Sequence, residues 1–128
     1  MVLAKIDVPK DFEPGTNFVD AWFTVGTSAD PAAVAACLMN LAGNQSTATP
    51  VVLGGTPFTE LQFSGAAADN RYDTTSYRTV RDNQCYAVEY TIHYGAFENY
   101  PAGAVKEFDE AKVQNALDEV ARSFRFLP

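Results

Sequence analysis

The chain has 128 residues, 47% of them hydrophobic, which suits one domain with a single core that folds without metals or many disulfides. Sixteen acidic residues against nine basic ones give a net charge of −7, a field that repels phosphate backbones and anionic lipid, so neither nucleic acid nor an acidic membrane is expected as a partner. No window approaches the roughly 20 apolar residues of a membrane span, and only Met1, Val2, Leu3 and Ala4 precede Lys5, so neither membrane insertion nor an export signal is expected.

Residues 2–7 can form a short strand, and the turn-rich stretch 9–15 leads into a longer one over 18–26. There Val19, Ala21, Phe23 and Val25 alternate with Phe18, Asp20, Trp22 and Thr24; large apolar groups on both faces predict an interior strand. Asp30 is a good N-cap and Pro31 fits the first helical position, opening a helix of about three turns over 32–42 that closes at Gly43. Its apolar set of Val34, Cys37, Leu38 and Leu41 recurs at three and four residues, which turns Cys37 toward a sheet.

Residues 44–50 read as a polar connector, followed by a strand at 51–53, a Gly54-Gly55 turn and a strand at 56–64 carrying Phe58, Leu61 and Phe63. The run 65–70 interrupts the pattern before a hairpin in which Asp82-Asn83 joins arms at 71–81 and 84–94. In the second arm Tyr86, Val88, Tyr90, Ile92 and Tyr94 share one face, assigned to the core, while Cys85, Ala87, Glu89, Thr91 and His93 share the other. After a long loop, Asp109 can cap a final helix and Phe108 can pack on Val113 as a staple. Val113, Ala116, Leu117, Val120, Ala121 and Phe124 form its inner stripe, leaving Glu110, Lys112, Asp118, Glu119 and Arg122 outward.

Two helices with two-sided strands between them predict a single α+β domain over residues 1–128, an antiparallel β-sheet with helices packed on its faces. In that layout Cys37, beneath one helix, can meet Cys85 on the less aromatic face. This favours a Cys37–Cys85 bridge over two buried free thiols, and a loop of about 48 residues would make the bridge worth roughly 4 kcal/mol.

The set Cys85-Tyr86, Tyr90-Thr91-Ile92-His93, Asn99-Tyr100-Pro101, Phe108-Asp109 and a last helix ending Ser123-Phe124-Arg125-Phe126 resembles small bacterial lipoproteins and secreted domains of unassigned activity. Those in turn look like the PsbP-like α/β/α superfamily. The resemblance spans about residues 72–127 and implies an α/β/α sandwich and a binding or assembly-stabilising accessory protein rather than an enzyme. It also implies an extracytoplasmic setting (periplasmic, cell-surface or secreted), with the cysteine pair as a disulfide.

Catalytic readings meet geometric obstacles. Cys85 and His93 share a strand face, but eight residues at about 3.3 Å each separate them by roughly 26 Å. Gly-x-Ser-x-Gly, Cys-x-x-Cys and His-Glu-x-x-His are all absent, and no phosphate-binding glycine pattern occurs. The 69–73 segment has oxygen ligands but lacks the glycine and terminal glutamate of a calcium loop, and reads as a turn. Glu107 and Asp109 read as solvated capping residues. No catalytic residue, cofactor or metal ligand is therefore assigned.

The loop 95–107 can present an aromatic patch, so His93, Phe97, Tyr100 and Pro101 are the candidate contacts for a protein partner; alternatively Phe97 and Tyr100 tuck back and seal the sheet end. The primary expectation is a non-enzymatic accessory or binding domain. Two others stand beside it: a small-molecule-binding or catalytic domain with a pocket between sheet and helix, lined by Tyr86 or Tyr90, and a self-associating structural subunit using an edge strand.

Overall fold

A computed structural model of the chain describes residues 1–39 and 45–128, with the backbone alone at 45–47. The described residues form β1 (Val2–Val8), β2 (Phe18–Ser28), α1 (Pro31–Ala36), β3 (Gln45–Leu53), β4 (Thr56–Ala67), β5 (Asn70–Arg81), β6 (Gln84–Gly95) and α2 (Glu110–Arg122). The strands make one antiparallel sheet in the order β1-β2-β6-β5-β4-β3. β3 to β6 are a meander, because each junction is a two-residue turn. Gly54 and Gly55, and likewise Asp82 and Asn83, all take positive φ, as a hairpin turn matching the right-handed twist of its strands requires. β2 then pairs with β6, so the chain leaving β2 through α1 reaches the far edge of the sheet.

Sheet polarity decides where the core lies. The register Ala21↔Ile92, Phe23↔Tyr90 and Val25↔Val88 puts the apolar sets of β2 and β6 on one face, and the buried Val113, Leu117 and Ala121 of α2 pack there. The aromatic alternation of β6 is thus the inner face, as its sequence predicts. Phe18 and Phe108 close one end of this core at 5.8 Å between rings, and Phe58, Phe124 and Phe126 close the other. Each such side chain contributes about 1.5–3 kcal/mol by leaving water. On the opposite face, Cys37 at the end of α1 is bonded to Cys85 at the start of β6, with their Cα atoms 5.7 Å apart.

Three boundaries differ from expectation. The first helix has six residues, not three turns: its cap, Asp30, accepts from Ala32 N, but Cys37, tied to Cys85, is already the C-cap, and Leu38 and Met39 are exposed. Leu41, Ala42 and Gly43 lie outside the described residues. β3 begins at Gln45, within the predicted connector, and Pro50 is tolerated because β3 is an edge strand paired only to β4. The Gly65–Asn70 run does not interrupt the sheet, since Gly65↔Tyr72, Ala66↔Arg71 and Ala67↔Asn70 continue the ladder to a turn at Ala68-Asp69.

Candidate functional site

The placement of α2 begins at Asn17, just before β2. Its Nδ2 donates to Gly95 O at 2.7 Å and its Oδ1 accepts from Phe108 N at 2.8 Å, so one buried amide pins both ends of the connector between β6 and α2. Glu13 accepts from Asp109 N at 3.0 Å and from Lys112 Nζ at 2.8 Å, and Asp109 caps the helix by accepting from Lys112 N at 3.1 Å. Those hydrogen bonds hold the Glu13 carboxyl below its ordinary range.

With its start fixed this way, α2 lays its apolar stripe on β6 and β2 and overhangs β5 with a polar edge. Glu110, Gln114 and Asp118, spaced by four residues, lie along that edge. The strands beneath offer Gln62 and Ser64 from β4 and Asp73, Thr75 and Tyr77 from β5. The result is a cleft of about 250 Å³ lined by Gln62, Ser64, Asp73, Tyr90, Glu110 and Gln114 among others. A second cleft of about 430 Å³, formed with Arg71, Tyr94, Phe97 and Glu98, adjoins it across Glu110.

Asp73 is the hub of the first cleft. It accepts from Tyr94 Oη at 2.9 Å and from Ser64 Oγ at 3.2 Å, and it is hydrogen-bonded to Glu110. That bond to Asp73, reinforced by burial and by the Asp73 charge, pushes the Glu110 carboxyl up to about 8, so at neutral pH Glu110 largely keeps its proton. Burial followed by the bond to Asp73 raises the Tyr94 phenol well above its usual range. Two turns along the helix, Asp118 accepts from Tyr77 Oη, from Tyr90 Oη at 3.1 Å and from Arg122 Nε at 2.6 Å. Burial alone would raise Asp118, but the bonds from Tyr77 and Arg122 outweigh it and keep the carboxylate ionised below its ordinary range. Tyr90, buried beside it, is pushed up to about 12.

Two residues read as outward-facing, Glu110 and Asp118, therefore turn toward the sheet. The apolar stripe of α2 covers β6, β2 and the β1 edge, so the helix edge facing β5 meets polar side chains and must be polar itself. The sequence carried a signal for this: the Asp82-Asn83 hairpin sets Asp73 opposite Ile92 and Thr75 opposite Tyr90, placing a carboxylate in the register of the core face. The carboxylates at 107 and 109 gave no comparable arrangement; Asp109 caps the helix and Glu107 is exposed.

The four predicted contact residues are divided by the sheet. His93 lies on the face opposite α2, where Nδ1 is 2.9 Å from Asp20 Oδ1, Nε2 is 2.7 Å from Asn70 Oδ1, and the ring stacks on Tyr72 at 4.5 Å. Both ring nitrogens are engaged. Cys85 is bonded to Cys37, so it offers no thiol to His93. Tyr100 fills the space that a side chain at Gly95 would occupy, while Phe97 is 39% exposed and lines the second cleft, and Pro101 is exposed. Tyr90 lines the cleft as anticipated; Tyr86 instead packs on Phe126, ring centroids 4.9 Å apart. Among the described residues no cluster of three metal-ligating side chains occurs, and no helix is long and apolar enough to cross a membrane.

No protein-family model matches the chain, and no curated protein is significantly similar to it.

Proposed function

We propose that this is a non-enzymatic binding domain working outside the cytoplasm, and that its ligand site is the polar cleft between β4, β5 and α2. The observation that carries this reading is the convergence of Gln62, Ser64, Asp73, Thr75, Tyr90, Glu110 and Gln114 on one recess between sheet and helix. Amides, hydroxyls and two neighbouring carboxyl groups suit a small hydroxylated or amine-bearing molecule. A carboxylate ligand would meet the Asp73 charge. The Cys37–Cys85 bridge supports an oxidising compartment. A helix on each face of the sheet supports the α/β/α layering of the PsbP-like resemblance.

Ligand-observed NMR with three probe sets, neutral polyols, primary amines and small carboxylates, tests the reading. Polyols or amines should bind, carboxylates should not, and the Gln62→Leu/Gln114→Leu variant should lose the binding. Equal response to all three sets, or binding untouched in the variant, overturns it.

The exposed Phe97 favours a second reading, an accessory domain that grips a protein partner beside the cleft. Phe97→Ala should then remove captured partners without loss of stability, whereas Tyr100→Ala, which empties the space over Gly95, should lower stability without touching capture.

A further inference from the structure

Both edges of the sheet have unpaired backbone groups, and they differ in what they permit. β3 carries Pro50, which lacks an N–H, whereas β1 is proline-free from Val2 to Val8 and largely exposed. On β1, Ala4, Ile6 and Val8 stand opposite Val25, Phe23 and Ala21 and so face the α2 side; Lys5 and Asp7 stand opposite Thr24 and Trp22 on the other side. Ile6, Val8 and Phe12 form with Val120 of α2 an apolar groove of about 140 Å³ that runs along this edge. Within it Ile6 is 50%, Phe12 37% and Val120 38% exposed.

We propose that β1 is a self-association edge whose occupant is β1 of a second copy of this chain, paired antiparallel so that Lys5 of each copy faces Asp7 of the other. The charges select this register. A two-fold axis normal to the sheet must pass midway between one residue of the strand and its own copy, which then face each other. Centring on Lys5 sets lysine against lysine, and centring on Asp7 sets aspartate against aspartate. Centring on Ala4 leaves Lys5 opposite Leu3. Centring on Ile6 pairs Lys5 with Asp7 twice, Ala4 with Val8 twice, and Ile6 with itself.

Lys5 and Asp7 already lie 3.5 Å apart within one chain, so in the dimer they form a ring of four alternating charges. The same axis keeps both α2 helices on one face, bringing the two Ile6–Phe12–Val120 grooves together across the new pair of strands. A lysine on an edge strand ordinarily blocks pairing. Here an aspartate two residues on makes the edge complementary to itself. This surface lies on β1 and the outer side of α2, away from Asp73 and Glu110, so it stands or falls independently of the cleft.

Sedimentation velocity at about 0.15 M ionic strength, where fields are screened beyond about 8 Å, reads the proposal out. The chain should pass from monomer to dimer as its concentration rises to about 200 μM, a range that exposes a micromolar Kd. Lys5→Asp and Asp7→Lys should each remain monomeric at concentrations where the unaltered chain is dimeric, and an equimolar mixture of the two should dimerise, since only the mixed pair restores both ion pairs. Both positions are exposed, and circular dichroism confirms that each variant is folded. Ile6→Lys, at the axis, should also abolish dimer. A chain that stays monomeric throughout, single variants that dimerise as well as the parent, or a mixture that stays monomeric would each overturn it.

Discussion

Removing the Cys37–Cys85 bridge should lower stability by about 4 kcal/mol, through the unfolded chain more than through lost contacts. The two cysteines are 48 residues apart, and constraining a loop of that length removes about 13–14 cal/mol/K of entropy from the unfolded ensemble, which at 25 °C is about 4 kcal/mol. A chain of 128 residues unfolds with an entropy of about 270 cal/mol/K near 60 °C, so the loss corresponds to a Tm lower by about 15 °C. The Cys37→Ala/Cys85→Ala variant is the right perturbation because Cys37 is 2% exposed and a serine hydroxyl there would add an unrelated desolvation cost. Thermal and urea unfolding followed by circular dichroism give the magnitude. They also give a second signature: an unfolded chain free of the cross-link exposes more surface, so the urea m-value should rise. A Tm change under about 3 °C, or a full loss with an unchanged m-value, would refute the loop-entropy argument.

Three further outcomes follow from the packing. Glu110 titrates near 8 in the folded protein against 4.5 when unfolded, so the native state binds the extra proton and its contribution is full below pH 4.5 and lost as pH rises through 8. Because Glu110 is only half-buried, the discounted effect is about 1–2 kcal/mol, and Glu110→Gln should flatten the stability profile across that window in urea titrations. Gly54→Ala should cost about 2–3 kcal/mol by chemical denaturation, since Gly54 has φ +53° and an added Cβ would lie 2.7 Å from Phe124 O; Gly65→Ala, with open space around it, should be neutral or slightly stabilising. Asn17→Ala should lose about 2–3 kcal/mol, and hydrogen exchange should accelerate at Phe108 and through the Gly95–Phe108 connector, because both amide bonds of Asn17 end there.

What the sequence determined by itself is what depends on neighbours along the chain. The Asp82-Asn83 turn fixes the β5–β6 hairpin because both residues accept positive φ, and the alternation from Tyr86 to Tyr94 names the buried face because strand side chains have a period of two. Asp30 and Asp109 announce helix starts because free amides need acceptors, and Phe108 and Val113 are buried at the predicted staple. The bridge was legible too, since helix period and strand period each aimed one cysteine at the same layer.

What only the tertiary structure decided is how far α2 reaches across the sheet. β2 pairs with β6 over a sequence gap that no local pattern encodes, and that pairing draws the apolar core to one side. α2 follows the core, and its Glu110–Gln114–Asp118 edge is left over the polar side chains of β5. Read alone, those carboxyls are outward residues on an amphipathic helix. Asp73, Tyr94 and Tyr77, all from strands distant in sequence, turn them into the lining of polar, hydrogen-bonded ground between helix and sheet, because hydrogen-bond partners and burial are properties of the assembled layers and not of the helix.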